Sequence, residues 1–350
     1  MSRMPDVKLS IIVPCYKAEK YLPKCLASLV GQTLPGVEVV AVNDGSPDHC
    51  LDILREWQTR FPGHIVVIDK ANEGAWRARM DGIRVARGEY IGFLDSDDYA
   101  EPDFAEKLYM TAKEADADVA VCGFSRIDME SGRILSRELC VPRRSFDISD
   151  DPGRIVELNG ATWNKVFRAR ILKDMHDLTE PPRVHEDLMF QLLAYLAGRG
   201  SVVFVPMPLV NYMVHAGSLI NSIDEAQVDE VYRAFVEVRD LYVAEQAPND
   251  LLMALDAVAF LHLGVSLTYR LSCNKDVNLQ RAIRRCTSYL DENFPTWRHS
   301  PYINGRYARL NGQSYKRLLT SSRMYKLGLM APFLATYRFV TETARIDIKW

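Results

Sequence analysis

At 350 residues the chain is roughly two to three times the length of a common domain, which calls for a large domain with an appended one. Its 48% hydrophobic and 25% charged residues can build a core, and they exclude disordered, collagenous and disulfide-scaffold classes. A net charge of -3 gives no general attraction for nucleic acid, but it hides a division. From Thr296 to Trp350 ten Arg or Lys residues stand against Glu342 and Asp347, a surplus of eight that leaves the first 295 residues at -11.

Met1 to Val7 is short and polar and runs straight into a strand-like segment, without the pattern of a signal peptide. The expectation is a cytoplasmic protein. The seven Cys residues include no CxxC and no Cys/His pair at metal-ligand spacing, so buried thiols are expected rather than disulfides or zinc. Ala257 to Tyr269 and Leu327 to Tyr337 are the longest charge-free apolar stretches, and both fall short of the roughly 20 residues that span a bilayer.

In chain order, Lys8 to Tyr16, Val37 to Asp44, His64 to Asp69 and Glu89 to Asp95 are β-rich apolar runs separated by helical patterns. Leu22, Cys25, Leu26, Leu29 and Val30 form one apolar helical face. This alternation predicts βαβ units, an α/β fold with a mostly parallel, Rossmann-like central sheet. A helix over Phe104 to Ala115 leads to a strand at Asp118 to Phe124, and the polar Ser131 to Asp151 is expected as a surface excursion. Met189, Leu192, Leu193 and Leu196 predict a helix, and Ser201 to Val205 the last core strand. From Asn221 the texture is helical, as in Ala226 to Glu245 and Leu251 to Leu271, so the expected division is 1–220 and 221–350.

Two strands end in carboxylates. Val40 to Val42 run into Asn43, Asp44, Gly45 and Ser46, and Tyr90 to Leu94 into Asp95, Ser96, Asp97 and Asp98. Ligands bind at the C-terminal edge of a parallel sheet, and oxygen ligands there suit a hard divalent cation. A lone Asp at such a place is more often a turn or cap residue, which remains the explanation for Asp98. Glu186-Asp187 opens the helix that carries Leu192, Leu193 and Leu196, where acids also interact favourably with the helix dipole.

Taken in order, SIIVPCY (Ser10 to Tyr16), NDGSPD (Asn43 to Asp48), NEGAWRARMDG (Asn72 to Gly82), RGEYIGFLDSDDYAEP (Arg87 to Pro102), TWNKVF (Thr162 to Phe167) and Glu186-Asp187 resemble the motif series of the family 2 glycosyltransferases. The resemblance covers Lys8 to Ser218 and implies the GT-A nucleotide-diphospho-sugar transferase fold with a C-terminal α-helical region. It also implies an inverting transfer from a nucleoside-diphosphate sugar, UDP-linked by expectation, to a hydroxyl of a glycan or lipid-linked glycan. By the same resemblance Pro14, Cys15, Tyr16 and Asp44 belong to the pocket for the nucleotide base and ribose, Arg79 stands near the donor diphosphate, and Asn72, Asp95 and Ser96 are further donor-binding residues. Asp95 and Asp97 are the DxD pair for Mn²⁺ or Mg²⁺, with His215 as a further ligand candidate. Asp187 is expected as general base with Glu186 in support, and Trp163 and Lys165 as acceptor-side candidates, with Lys165 able to pair with phosphate or Glu186. Trp76 and Trp163 could stack on sugars, although buried tryptophans that merely pack are commoner.

Asn43 stands where the family usually has an acid, and Met80 where an asparagine usually follows the arginine. Sugar-phosphate nucleotidyltransferases also pair such a sheet with metal-binding aspartates, but they carry a Gly-rich loop after the first strand, absent from Pro14 to Glu19. A degenerate glycan-binding scaffold is the non-enzymatic alternative. The basic C-terminal helices are expected to serve acceptor recognition, homodimerisation or peripheral contact with a membrane.

Overall fold

A computed structural model describes residues 7–214, 223–274 and 277–344, with the side chains of 339–344 left aside. The chain divides into two compact units, Met1–Asp147 with Gly160–Ser218, and Ile148–Asn159 with Leu219–Trp350.

The first unit is built on strands β1 (Leu9–Cys15), β2 (Val37–Asp44), β3 (Ile65–Lys70), β4 (Tyr90–Phe93), β5 (Tyr99–Ala100), β6 (Val119–Asp128), β7 (Ile134–Glu138), β8 (Phe146–Asp147), β9 (Lys165–Arg168) and β10 (Ser201–Val214). They form one sheet in the order β3-β2-β1-β4-β9-β6-β10-β5, with β7 on β6 and β8 on β10. From β3 to β4 all pairs are parallel. β1 and β2 are buried almost along their whole length, because helices cover both faces of the sheet, so their sequences are continuous apolar runs. The expected αβ alternation is therefore present. Strand β9 is additional to the strands expected from the sequence; it runs antiparallel to both β4 and β6 and makes the sheet mixed. Its four residues KVFR read as polar, and only its two neighbours make it a strand. The excursion expected over Ser131 to Asp151 is in part strand, since β7 pairs antiparallel with β6 and β8 with β10.

This order matters for the site. β2 and β4 flank β1 on opposite sides, so the strand order switches there, the place beyond the strand C-termini where such sheets bind ligands. Because β9 is antiparallel, its N-terminal side, with residues Thr162 to Lys165, arrives at the same rim where β4 delivers Asp95.

Of the six helices among the described residues of this unit, α1 (Leu22–Val30), α2 (Cys50–Arg60), α3 (Ala75–Val85), α4 (Phe104–Glu114), α5 (Ala169–Lys173) and α6 (Glu186–Ala197), α3 carries Arg79 and α6 carries Glu186 and Asp187. Helix α3 lies close to β1 at Gly82, where a Cβ would come within 2.5 Å of Ile12 Cγ2. Gly82→Ala is therefore expected to destabilise this unit by about 1–3 kcal/mol, since the β-branched, buried Ile12 has little room to move. Urea denaturation followed by circular dichroism measures it, and an unchanged midpoint would show that α3 can slide without cost.

The second unit is helical. It contains α7 (Glu225–Ala244), α8 (Asn249–Ala259), α9 (Thr268–Cys273), α10 (Leu279–Asn293), α11 (Gly305–Asn311), α12 (Gln313–Lys326) and α13 (Met330–Ala344). A π-helical stretch, Phe260–Leu267, joins α8 to α9. Helix α7 starts in a capping box between Asp224 and Gln227. Phe260 stacks on Trp297 at 4.7 Å, and Tyr325 donates its hydroxyl to the Gly264 carbonyl inside the π-helical turn. The segment Ile148–Asn159 belongs here because Tyr315 donates to the Gly153 carbonyl at 2.9 Å and Tyr302 packs where a Gly153 side chain would be. Asn249–Cys273 forms one continuous helix of 25 residues, close to the Leu251 to Leu271 expected from the sequence and, with its ends beyond the charge-free stretch included, long and apolar enough by length and composition to cross a membrane. The helix continues through Asp256, whose carboxylate accepts from the Thr296 amide and hydroxyl. With 72% of its most apolar window buried, it is the core helix of this unit.

Candidate active site

The rim beyond β1, β2 and β4 is organised first by Asp44. Its two carboxylate oxygens accept from the Glu73 and Gly74 amides, both at 2.9 Å, and its carbonyl accepts from Asn72. Asp44 is buried and anchors the loop that opens α3, with Gly74 at φ 90°. Both carboxylate oxygens are thus already engaged in holding that loop. The departure at Asn43 also has a cause. Asn43 donates to Asp69 at 2.8 Å across β2 and β3, where an acid would repel that carboxylate. Met80 is buried and packs in the core.

Of the nucleotide-pocket candidates, Tyr16 is exposed, with Lys17 over its ring, and Pro14 is half-buried. The Cys15 side chain is fully buried and donates to the Val13 carbonyl, so Cys15 offers a ligand only its backbone. Burial raises its thiol far above the ordinary range, followed by the effect of Cys50 and Asp48. Of the thiols expected to be buried, Cys15, Cys25, Cys50, Cys122 and Cys286 are, whereas Cys140 is half-buried and Cys273 exposed.

The centre of the site is Arg79, on α3, whose side chain is 3% exposed. Its Nη2 lies 3.1 Å from Asp95 Oδ1, and its Nη1 2.9 Å from Asp187 Oδ1 and 3.4 Å from Glu186 Oε1. One guanidinium thus gathers carboxylates from two distant parts of the sequence, Asp95 and the neighbouring pair Glu186-Asp187. Its Nε is buried without an acceptor. Glu186 and Asp187 occupy the first turn of α6, as the sequence predicts, behind His185 in the left-handed conformation. Burial pushes the Asp187 carboxyl up to about 7, Arg79 opposing it and Glu186 and Asp95 reinforcing it. Burial also raises Glu186, again against Arg79.

A layer beneath Asp187 orients it. Thr162 Oγ1 donates to Asp187 Oδ1 at 3.4 Å, and Gln191, one turn along α6, donates to the Ala161 carbonyl at 3.0 Å. Lys165 is completely buried; its ammonium donates to the Ala161 carbonyl at 2.6 Å and Asn164 Oδ1 at 3.0 Å. Burial lowers it to about 7, while Cys122 and Asp187 pull it up. An acceptor contact for Lys165 does not fit this burial, because its polar end turns inward to the loop under Asp187. Trp163 also packs: its ring stacks on Tyr212 at 5.3 Å and meets Phe124 edge-on at 4.7 Å. Trp76 is buried as well, donating to Asp177 at 2.7 Å, so neither ring is open to stack on a sugar. Thr162, Gln191 and Asp177 were not singled out in the sequence. Gln191 stands four residues after Asp187, on the same helix face, a spacing that could have found it.

Asp95, Ser96, Asp97 and Asp98 form a tight turn in which the Asp98 amide donates to the Asp95 carbonyl at 3.0 Å. Asp95 is 30% exposed, Asp97 half-buried and Ser96 mostly buried. Asp98 closes this turn, the first of the two places expected for it, and is no cap: it is buried and accepts from the Met213 amide at 2.8 Å, tying the turn to β10. Burial raises its carboxyl well above the usual range, with Asp97 and Asp95 adding to it. The donor set fits Mg²⁺ or Mn²⁺, because two accessible carboxylates suit an ion that completes its shell with phosphate and water. The nearby Cys25 thiol donates to the Asp95 carbonyl, and burial raises its pKa well above the usual range, so it adds no soft thiolate ligand. Among the described residues no three His, Cys, Asp or Glu side chains cluster as a complete metal cage. His215 lies outside the described residues.

Residues 10–175 match the model of Glycosyl transferase family 2. EpsH of Bacillus subtilis, named as a glycosyltransferase, is 33% identical over 226 residues, 62% of this chain and 64% of its own. The poly(ribitol-phosphate) beta-glucosyltransferase of Bacillus spizizenii is 33% identical over 198 residues, 55% of this chain and 30% of its own. The chain thus spans less than two thirds of either relative. Among solved structures, S. aureus TarS 1-349 in complex with UDP-GlcNAc superposes with a TM-score of 0.67 at 21% identity, covering 92% of both chains. That likeness shows a shared fold, the GT-A architecture with an appended helical region. With the matched profile and the glycosyltransferase relatives, it leaves the nucleotidyltransferase alternative unsupported, and residues 10–175 belong to Glycosyl transferase family 2.

Proposed function

We propose that the protein transfers one sugar from a nucleoside-diphosphate donor, UDP-linked, to a hydroxyl of a glycan or lipid-linked glycan, with inversion at the anomeric carbon. The observation that carries this is the Arg79 guanidinium, which holds the DxD carboxylate Asp95 and the base carboxylate Asp187 at 3.1 and 2.9 Å. Leaving-group side and acceptor side are thereby set across one rigid cation. Support for the donor comes from TarS, crystallised with UDP-GlcNAc. A polymeric acceptor accords with the relative named for poly(ribitol phosphate).

In this proposal the rim from Pro14 to Tyr16 seats the nucleotide, its backbone beside the Asp44 loop. Asp187 takes the proton from the acceptor hydroxyl as that oxygen attacks, and Thr162 and the Lys165 layer keep the carboxylate aimed. A base opposite the leaving group needs no separate nucleophile, so a single displacement follows. Asp95 and Asp97 would hold Mn²⁺ or Mg²⁺, which when bound neutralises charge on the departing diphosphate. Such donors are made in the cytoplasm, where we place the reaction.

A panel of UDP-, GDP- and dTDP-sugars, assayed for nucleotide release with Mn²⁺, tests the proposal. Only UDP-sugars are expected to turn over, chelation to abolish turnover, and Asp97→Ala to lower it by at least about a hundredfold. Turnover that is indifferent to both chelation and Asp97→Ala would sink the metal-assisted mechanism.

A further inference from the structure

Between Glu292 and Glu342 the chain contains no acidic residue and eight Lys or Arg. The structure shows how part of this charge is displayed. On α12 the buried side is Tyr315, Leu318, Ser322 and Tyr325, spaced by three, four and three residues. The opposite side is Lys316, Thr320 and Arg323, and the same spacing continues to Leu327 at the helix end. Lys316, Arg323 and Lys326 are exposed, as are Arg306 and Arg309 on the preceding α11, and none of these five pairs with a described carboxylate. Large apolar side chains accompany them. Leu310, at the end of α11, is 75% exposed, and Leu327 and Leu329 are 65% and 47% exposed. Gly328 between the last two has φ 69°, which turns the chain sharply and leaves a short loop tip carrying two leucines.

We propose that this face, α12 with the Leu327–Leu329 tip, docks on an anionic lipid surface. The unpaired basic side chains supply attraction to acidic headgroups. The leucines distinguish a bilayer from a polyanion in water: their apolar area gains nothing from a soluble polymer, but it is removed from water when the tip enters the acyl boundary. The arrangement therefore combines a charge and a partitioning signal, each too weak alone for stable attachment. The inference concerns the helical unit and stands apart from the catalytic proposal, since vesicle binding is read without turnover.

The test uses the full chain and sedimentation with phosphatidylglycerol or phosphatidylcholine vesicles. Binding to the anionic vesicles alone is expected, with release in about 0.5 M salt. Combined Lys316→Glu, Arg323→Glu and Lys326→Glu is expected to weaken partition by at least about a hundredfold. Leu327→Ser with Leu329→Ser weakens it several-fold while leaving the charge unchanged. All five positions are exposed, so unchanged circular dichroism and unchanged UDP-sugar turnover accompany both losses. Failure of the wild-type chain to bind phosphatidylglycerol, or equal binding of the charge-reversed variant, overturns the proposal. So does tight, charge-dependent binding to inorganic polyphosphate without binding to vesicles, which would assign the face to a soluble polyanion.

Discussion

Replacing Asp187 by Asn is expected to lower kcat by about 10²–10⁴-fold while leaving the fold as stable as before, or more so. The two halves of this result have separate causes. Asparagine fills the same space and still accepts from Thr162, but it cannot take a proton from an attacking hydroxyl. Three carboxylates, Asp95, Glu186 and Asp187, surround one guanidinium, so losing one negative charge relieves repulsion that Arg79 alone does not cancel. The pH dependence has a definite sign. Asp187 must be ionised to act, and burial, with Glu186 and Asp95, pushes it up to about 7 against Arg79. Activity is therefore expected to be present above that value and to fall below it, and a cation bound at Asp95 moves the limb to lower pH. For stability the same raised carboxyl binds a proton more readily in the folded chain than in the unfolded one. Its contribution is present below its ordinary range near 4 and is lost as pH rises through about 7. Asn at this position removes that loss, so the variant's advantage in melting temperature should grow from pH 5 to pH 7.5. A variant with kcat within threefold of wild type would show that another group is the base.

Much of this arrangement can be read in the sequence, and the parts that cannot share a physical reason. Strands β1 and β2 and helix α1 are legible because a buried parallel strand and an amphipathic helix each repeat locally. The carboxylates of Asp95 and Asp187 are legible through ordered motifs. Strand β9 is not, since its Lys165 and Arg168 look solvent-seeking until the neighbouring β4, β6 and α6 close around them. Lys165 is the sharpest case: an ammonium with no exposure depends on the Ala161 carbonyl and Asn164, contacts that no periodicity encodes. Asp44 likewise carries a motif position, yet its visible work is to hold the Glu73 and Gly74 amides. The gathering of Asp95, Glu186 and Asp187 on Arg79 depends on crossing two strands and a helix, so it exists only in the folded chain.

Replacing Arg79 by Met should be the most damaging single change, in stability as well as activity. Methionine approximates the length and apolar stem of the side chain, so packing against the buried face of α3 survives and the charge is the principal loss. Three carboxylates then face one another without a counter-charge, a situation that typically costs about 3–5 kcal/mol when a buried pair is broken. Arg79→Lys should fall between, because a single ammonium cannot reach Asp95, Asp187 and Glu186 together as the planar fork does. The cost should also depend on pH. Without the guanidinium, which holds both acids down, Asp187 and Glu186 rise further above their ordinary values. A carboxyl raised in the folded state stabilises at low pH and ceases to do so as pH climbs through its folded value. The deficit of Arg79→Met relative to wild type is therefore expected to be large at pH 7.5 and smaller at pH 5. In activity the variant should lose its base to protonation, moving the acid limb of kcat/KM to higher pH, as well as the alignment of base and donor site. Urea denaturation of the catalytic unit at the two pH values, together with a pH-rate profile, measures both effects. Equal stability of the Met variant and wild type at pH 7.5 would mean that the carboxylates already share protons among themselves and that Arg79 is not what holds them together.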